Sequence, residues 1–364
     1  MKLRKQNKKV YVAISGGVDS SVAALLLKKQ GYDVTGVFMK YWMDPNDALN
    51  GRENQCCSLD ARRDAMRVCA HLGIPFKTFD FQKEFKRAVV NDFIRQYKNG
   101  LTPNPCVTCN KEIKLGLFIK KSLKDGADFV ATGHYARRRE LKTKNLKLKI
   151  YALVAAHDKK KDQSYFLYNL KQDQLAHTLF PLGNLSKDEV RVIALRAGLP
   201  VATKKDSQEV CFVNKGGLKE FLGKRIKTRE GDIVLENGEV LGRHSGAQFY
   251  TNGQRVPVGG TGPYYVANKD LKKNQLVVAK NGNQALMLKE IIVQNINWVI
   301  AKKPKFPINV KVRTRYGADL AGAVLKVKSS NVQVFFRNAQ KAITPGQSAV
   351  FYKDREIIGG GVIV

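Results

Sequence analysis

VYVAISGGVDSSVAALLL, residues 10–27, joins an apolar strand-like run to a helix-like run through two adjacent glycines. Paired glycines let the backbone adopt positive φ angles and come close to a ligand. The serine hydroxyls and the amide groups at the start of the helix offer hydrogen-bond donors to a phosphate. An ordinary strand–turn–helix capped by Asp19 or Ser20 is the simpler alternative, but it does not account for so many glycines and serines. The stretch therefore predicts a phosphate-binding loop.

The order of the strand-like and helix-like runs predicts the fold class. The two kinds of run alternate through about the first 200 residues, and glycines such as Gly31 and Gly73 end the helices. This alternation is typical of an α/β fold with a doubly wound parallel sheet. After about residue 212 the runs are short, separated by Gly and Asn, and without helical periodicity, which indicates two small β-rich domains. We predict domain boundaries at 1–212, 213–288 and 289–364, the last a β-barrel.

Composition and charge narrow the class of protein. The chain has 364 residues, with 64 Lys and Arg against 31 Asp and Glu, a formal charge of +33. Such an excess favours a polyanionic partner, although a lysine-biased proteome would give the same composition. The polar, basic start does not resemble a secretory signal, and no apolar run reaches the roughly 18 residues of a membrane span. We therefore expect a cytoplasmic protein with no membrane partner.

Cysteines form the second feature that carries chemistry. NPCVTCNKEIK, residues 104–114, places Cys106 and Cys109 three positions apart, and Cys211 follows in DSQEVCF. Taken alone, the spacing allows metal ligands, a redox couple, a nucleophile with a neighbour, or buried thiols. Cys69 falls on an amphipathic helix and is expected to be a packed thiol. Cys56 and Cys57 are adjacent and are also expected to be packed or incidental.

The loop belongs to neither of the two commonest nucleotide-binding patterns. It lacks both the G-x-x-x-x-G-K-[ST] and the G-x-G-x-x-G spacing. SGGVDSS instead resembles the pyrophosphate loop (PP-loop) of the ATP pyrophosphatases. That resemblance implies cleavage of ATP between its α and β phosphates, with Mg²⁺, and transfer of AMP to a carbonyl oxygen.

Eight motifs in the same order extend the resemblance over nearly the whole chain. They are SGGVDSS, TPNPCVTCNKEIK, ATGHYAR, KKDQSYFLYNL, DSQEVCF, GRHSGAQFYTNGQR, VRTRYG and TPGQSAVFY. Together they resemble the bacterial tRNA-specific 2-thiouridylases, whose fold is of the adenine nucleotide α hydrolase type. The resemblance implies 2-thiolation of the wobble uridine (U34) of tRNAs for Lys, Glu and Gln, by adenylation of the C2 oxygen and sulfur transfer from a cysteine persulfide. It also implies a persulfide donor as partner, either a cysteine desulfurase or a relay protein.

Matching the motifs position by position implies roles for individual residues. Cys211 becomes the persulfide carrier and Cys109 the nucleophile that releases the sulfur. The ATP site corresponds to Ala13, Ile14, Ser15, Gly16, Gly17, Val18, Asp19, Ser20, Met39 and Gly133. The positions that contact tRNA or its target base correspond to Asn104, Pro105, Cys106, His134, Lys161, Asp162, Gln163, Arg315, Tyr316 and Gln347.

One departure from the family pattern leaves the sulfur chemistry open. Many members have aspartate where this chain has Cys106, which adds a third thiol. Cys106, Cys109 and Cys211 therefore form an alternative ligand set for a [4Fe–4S] cluster with one open iron site. Structural zinc is a weaker alternative, because three thiols leave it without a fourth ligand. More distant alternatives are a small-molecule AMP-forming ligase and a non-catalytic RNA-binding protein.

Overall fold

The computed structural model describes residues 8–45, 58–141, 149–206, 210–213, 217–259 and 262–364. Cys56 and Cys57 lie outside these described residues, as do three residues of the DSQEVCF motif. Within the described ranges, a parallel sheet has the strand order β3-β2-β1-β4-β7. These strands are β1 Lys9–Ala13, β2 Asp33–Lys40, β3 Phe76–Asp80, β4 Phe129–Ala131 and β7 Thr178–Leu179.

Helices cover both faces of this sheet. Val10 and Val12 of β1 pack on one face, and Tyr11 belongs to the core on the other. The alternation follows from the period-2 geometry of a strand, and both faces are apolar because both carry helices. The helices are α1 Val18–Lys29, α2 Leu59–Leu72, α3 Gln82–Phe85, α4 Asn91–Lys98, α5 Pro105–Cys109, α6 Phe118–Lys124, α7 Gln172–His177 and α8 Lys187–Arg196.

Two π-helical segments and two β-rich regions complete the described chain. The π segments are Lys86–Val90, before α4, and Asn110–Leu117, after α5. The helix α9 Gly217–Gly223 precedes a sheet of β8 Gly231–Val234, β9 Val240–His244, β10 Arg255–Val256, β11 Tyr264–Asp270 and β12 Gln275–Lys280. The C-terminal strands are β13 Met287–Trp298, β14 Ile308–Arg313, β15 Ala321–Lys328, β16 Asn331–Lys341, β17 Ser348–Lys353 and β18 Glu356–Ile363.

A hairpin from the first half of the chain joins the C-terminal barrel. It consists of β5 Ala136–Leu141 and β6 Ile150–Ala155. β6 pairs with β18 through Leu153 opposite Ile357 and Val154 opposite Glu356. β13 also pairs with both β16 and β18, which closes the barrel strands on themselves. The sequence patterns did not predict this docking, because a hairpin pattern does not indicate which sheet it will extend.

The predicted fold class is confirmed: a doubly wound parallel sheet is followed by two β-rich units. None of the helices found in the described ranges is long and apolar enough to cross a membrane. Parallel strands place their carboxyl ends at one edge of the sheet, which is where ligands bind in open α/β folds. β1 and β4 are neighbours, so the loops that follow them meet at this edge.

Candidate active site

The loop between β1 and α1 is held in shape by its own serines. The Ser20 hydroxyl donates to the Gly17 carbonyl oxygen at 3.2 Å and accepts from the Ser15 amide at 3.2 Å. The Ser21 hydroxyl donates to the same carbonyl oxygen at 2.8 Å. No side chain caps α1 at Gly17, so the first amide groups of the helix are not bonded by a cap and face the loop. This arrangement suits an anion such as a phosphate.

Two glycines are required by close contacts around the loop. Gly16 has φ +73°, and a Cβ there would collide with the Ala61 carbonyl oxygen. Gly133 follows β4, and a Cβ there would lie 2.8 Å from the Ser20 amide nitrogen. A side chain at position 16 would therefore displace α2, and one at position 133 would displace the start of α1. Gly133, predicted from a distant motif, is thus placed directly against the predicted loop.

Asp19 lies at one end of a line of alternating charges. Its carboxylate accepts from the Tyr135 hydroxyl at 2.8 Å and from the Lys187 ammonium at 2.7 Å. Lys187 also forms an ion pair with Asp206 at 2.8 Å, and its side chain is 10% exposed. Asp206 in turn accepts from Lys161 at 2.8 Å, and Arg191 also pairs with it. This line of charged residues connects the loop between β1 and α1 to Asp206, the first residue of the DSQEVCF motif.

The charge chain changes the ionisation of its members. Burial alone would raise the pKa of Asp206, but hydrogen bonds from Lys161 and Lys187 outweigh this effect and lower the pKa to about 2. Burial, together with the neighbouring Asp19 carboxylate, raises the pKa of Tyr135 above its ordinary value. Asp206 is therefore a carboxylate and Tyr135 a hydrogen-bond donor at neutral pH.

Several residues of the site were not among the predicted ones. Besides Tyr135, Lys187 and Asp206, Lys204 lies at the loop, donating to the Gly16 carbonyl oxygen at 3.0 Å and to Asp64 at 2.7 Å. Tyr135 and Asp206 stood in quoted motifs, ATGHYAR and DSQEVCF, without an assigned role. The Ser186–Glu189 capping box marked the helix start beside Lys187, but nothing in the sequence showed which loop that helix faces.

The cysteine loop forms a short helix against the large core cluster. Asn104 caps α5 through its side-chain oxygen, which accepts from the Val107 amide at 3.4 Å. Cys106 is exposed, whereas Cys109 is 5% exposed within the core. Cys211 is half-buried and packs against that same core cluster. The neighbouring Phe212 anchors its segment, with its ring 5.2 Å from the Phe93 ring.

The alternative ligand set for an iron–sulfur cluster is not assembled. Across the described ranges, which include all three thiols, no group of three or more His, Cys, Asp or Glu side chains is close enough to hold a metal ion. Cys106, Cys109 and Cys211 therefore do not converge. The physical reason is that α5 directs Cys106 to solvent and Cys109 into the core. A three-cysteine cluster stays a prediction, and the described positions of these side chains do not assemble it.

Comparisons with known proteins identify the family. The model of the tRNA methyl transferase HUP domain matches residues 8–215, that of the PRC-barrel domain matches 219–280, and that of the aminomethyltransferase β-barrel domain matches 288–363. The tRNA-specific 2-thiouridylase of Clostridium acetobutylicum is 45% identical over 365 residues, covering 98% of this chain and 99% of that protein. This chain belongs to the tRNA-specific 2-thiouridylase family. The family member of Buchnera aphidicola is 42% identical over 369 residues, covering 99% of this chain and 97% of its own.

In this 2-thiouridylase family member, three predicted RNA-contacting residues of the barrel lie near the cysteine loop, in which the Asn110 side chain donates to the Phe166 carbonyl oxygen at 3.4 Å. Gln347 donates to the Thr102 carbonyl oxygen at 2.8 Å, and this hydrogen bond joins the barrel to the segment before Asn104. Tyr316 is 42% exposed, and its ring lies 4.6 Å from that of Phe166. Arg315, next to it, is exposed. The barrel thus presents an aromatic face and a cation near the cysteine loop.

Other predicted RNA-contacting residues of the 2-thiouridylase pattern make contacts within the protein. Asp162 is 4% exposed and accepts from Ser164 and from Arg313 at 3.1 Å. Gln163 accepts from the Tyr135 amide at 3.0 Å, while Lys161 is bonded to Asp206. Their predicted contacts with tRNA stay predictions. The segment nevertheless holds Tyr135, and through it Asp19, in place.

Two further predicted residues lie near the carboxyl ends of β2 and β4. Met39 is 7% exposed, and its sulfur accepts from the Tyr41 hydroxyl at 3.5 Å. His134 shares a 2.7 Å hydrogen bond with the Thr132 hydroxyl through Nδ1. Burial, with a smaller contribution from the Lys114 cation, lowers the pKa of His134 to about 3, so the imidazole is neutral at pH 7.

Proposed function

We propose that this protein is an ATP-dependent tRNA-uridine 2-sulfurtransferase that converts uridine in tRNA to 2-thiouridine. The observation that carries the proposal is the joining of three elements at one edge of the sheet. The serine-rich loop, the Asp19–Lys187–Asp206 line of charges and the loop that carries Lys161 are connected by contacts under 3 Å. Asp206 is also the first residue of the motif that contains Cys211. A small-molecule ligase would need the loop, but it would not need the exposed Tyr316 or the cysteines beside it.

The loop residues are suited to the adenylation step. The C2 oxygen of uridine attacks the α-phosphate of ATP, pyrophosphate leaves, and the oxygen becomes part of a phosphate ester that can be displaced. Amide groups at the start of α1 and the Lys187 and Lys204 ammonium groups lie where they can neutralise the phosphates. Mg²⁺, when bound, neutralises phosphate charge, and a single carboxylate such as Asp19 suits it because this ion is usually held by one or two carboxylates plus phosphates.

The sulfur-transfer step follows from the chemistry of two thiols. We propose that Cys211 receives the outer sulfur of a persulfide, which then attacks C2 of the adenylated uridine while AMP leaves with the electrons of the broken bond. Cys109 next attacks the Sγ of Cys211, the bond between the two sulfurs breaks, and 2-thiouridine is released with that electron pair. A disulfide between Cys109 and Cys211 remains, and a thiol reductant restores both thiols.

The finer parts of the proposal concern substrate, partners and location. We propose U34 of tRNAs for Lys, Glu and Gln as the target, because their wobble uridine is the base implied by the motifs. Extrusion of that base from its stack would bring it to Cys109, which is buried. The proposed sulfur source is a cysteine desulfurase or a relay protein, and the proposed location is the cytoplasm. Residues 1–212, 213–288 and 289–364 are the proposed domains.

Substitution of the two cysteines tests the proposal. We expect Cys109→Ser and Cys211→Ser each to lower 2-thiouridine formation at least about 100-fold, because each removes a sulfur nucleophile that the proposed mechanism requires. Thiolated nucleoside would be measured by mass spectrometry of digested tRNA, alongside tRNA binding. Both variants should retain tRNA binding close to that of the unmodified protein.

Cys69→Ser is the matched control for this experiment. Cys69 is 1% exposed on α2, and burial raises the pKa of its thiol to about 11, so it is an unreactive packing residue. Its replacement should leave the yield of thiolated nucleoside per folded protein unchanged. Normal thiolation in either the Cys109 or the Cys211 variant would contradict the proposed mechanism.

A further inference from the structure

A cleft of about 490 Å³ between the β5–β6 hairpin and the β17–β18 turn lies outside the site described above. One wall belongs to the first half of the chain and the other to the C-terminal barrel. Five cationic and two acidic side chains line it, with two uncharged residues. They are Arg137, Arg138, Arg139, Val154, Asn184, Lys353, Asp354, Arg355 and Glu356.

Two of the arginines have structural roles or partners that use their charge. Arg139 pairs with Glu356 at 3.0 Å. Arg138 donates to the carbonyl oxygens of Leu175 and Ala176, and its guanidinium lies 4.6 Å from the centre of the Tyr151 ring. Neither is therefore the main candidate for binding a ligand in the cleft.

Arg137 and Arg355 are held in place without neutralisation. Arg137 donates through Nε to the Ala155 carbonyl oxygen at 2.8 Å, and Arg355 donates to the Ala156 carbonyl oxygen. Among the salt bridges of the described residues, none joins either guanidinium to a carboxylate. The three arginines Arg137, Arg139 and Arg355 line the same cleft. Burial and then the cations of Arg355 and Arg139 lower the pKa of Arg137, and Asp162 opposes this shift. An anion between Arg137 and Arg355 would relieve the repulsion of these cations.

Both strands of the hairpin wall continue into loops of the active site. Arg137 stands two residues after Tyr135, whose hydroxyl donates to Asp19. Its strand partner Val154 leads into the loop that carries Lys161, which pairs with Asp206. The hairpin therefore links the cleft to Tyr135 and Lys161, which contact Asp19 and Asp206.

We propose that Arg137 and Arg355 bind backbone phosphates of the tRNA whose base enters the active site. This inference rests on the proposed function, and it adds a binding surface that the sequence motifs did not indicate. Arginine suits the role because its planar fork binds phosphate oxygens in pairs. An RNA is favoured over an acidic protein because the cleft is concave, is shared by two domains and is lined by five cations against two acidic side chains.

The salt dependence of tRNA binding tests the cleft. The probe is an unmodified tRNA transcript carrying U34, and the variant is Arg137→Gln/Arg355→Gln in the full chain. Glutamine removes the charge and keeps an amide that can donate to the nearby carbonyl oxygens. The control is Lys120→Gln/Lys124→Gln, two exposed positions on α6, which precedes the amino end of β4. Both variants lose the same net charge.

The two variants should behave differently. We expect the cleft variant to bind the transcript about tenfold more weakly at about 0.1 M salt. Its slope of log affinity against log salt should be shallower by about 1.5, because each lost phosphate contact removes about 0.7 to 0.9. The control should keep the original slope. If the double variant does not fold, Arg137→Gln alone should give about half of the change in slope.

Three outcomes would separate the inferences. Equal slopes in the cleft variant and the control would overturn the proposed phosphate contacts. Unchanged tRNA binding with slower sulfur delivery from a donor protein would also overturn them, and would assign the cleft to a protein partner. If the unmodified protein never thiolates tRNA but the cleft variant still shows the shallower slope, the proposed function fails while the cleft inference stands.

Discussion

Two clusters with the same three kinds of side chain lie at opposite ends of the parallel sheet. At the carboxyl end, Asp19 accepts from the Tyr135 hydroxyl at 2.8 Å and from Lys187. In the loop that enters the amino end of β4, Asp125 accepts from the Tyr11 hydroxyl at 2.8 Å and from Lys77. Each is an aspartate held by one tyrosine and one lysine. Composition therefore does not distinguish them.

The surroundings of the two clusters differ in burial and in the next partner. The Lys187 side chain is 10% exposed and bridges to a second carboxylate, Asp206, whereas that of Lys77 is 42% exposed. Of the two aspartates, only Asp19 lies at the start of a helix beside a glycine loop, where the first amide groups of the helix face the loop. Position at the carboxyl edge of the sheet, together with burial, therefore makes the Asp19 cluster suited to a role in catalysis, although its side chains are of common types.

Substitution of each lysine by methionine should give the largest difference in activity between the two clusters. Lys187→Met removes the cation between Asp19 and Asp206 and leaves only Asp206 with other cationic partners, Lys161 and Arg191. Removal of one partner of a buried ion pair typically costs about 3–5 kcal/mol. We expect pyrophosphate release with tRNA to fall at least about 100-fold and the melting temperature to drop. Lys77→Met should keep activity within about twofold, because exposed ion pairs contribute little. Equal losses of activity in the two variants would show that the clusters are not functionally different.

Substitution of each tyrosine by phenylalanine should give an intermediate difference in activity between the two clusters. Tyr135→Phe removes one hydrogen bond to a carboxylate, worth about 1.5–3 kcal/mol, and leaves Asp19 less firmly oriented. We expect kcat/KM for ATP to fall about tenfold or more, with little change in tRNA affinity. Tyr11→Phe is the matched change at the amino end and should leave kcat/KM within about twofold. A fall of the same size in both would point to a general loss of folding.

Protonation of His134, near the Asp19 cluster, should have the smallest effect, and that effect should be on the stability of the fold alone. The folded state keeps His134 neutral, because burial lowers its pKa to about 3, whereas the unfolded chain binds a proton near the ordinary value of 6.5. Stability from this group is complete above about pH 6.5 and is lost as the pH falls toward about 3. His134→Gln should therefore flatten the fall of urea midpoints between about pH 7 and pH 5. His71→Gln, at an exposed position at the end of α2, should not flatten it.

The fold class could be predicted because it follows from local patterns. The apolar run of β1, the glycines and the helix that follows indicate a strand, a loop and a helix whatever the rest of the chain does. The docking of β5 and β6 onto β18 could not be predicted, because strand pairing across about 200 residues depends on which edge is open in space. The same holds for the exposure of Cys106 and the burial of Cys109.

The loop, the cysteine motifs and the family to which they belong can be identified from the sequence, because each is written in neighbouring residues. The contacts of Tyr135, Lys187 and Asp206 with Asp19 depend on the packing of distant segments. So does the similar cluster of Tyr11, Lys77 and Asp125, which the contacts of the described residues do not extend to a second carboxylate. The physical reason is that an ion pair depends on distance and burial. Those quantities are fixed by the packing of α1 against α8 and by the edge at which parallel strands end.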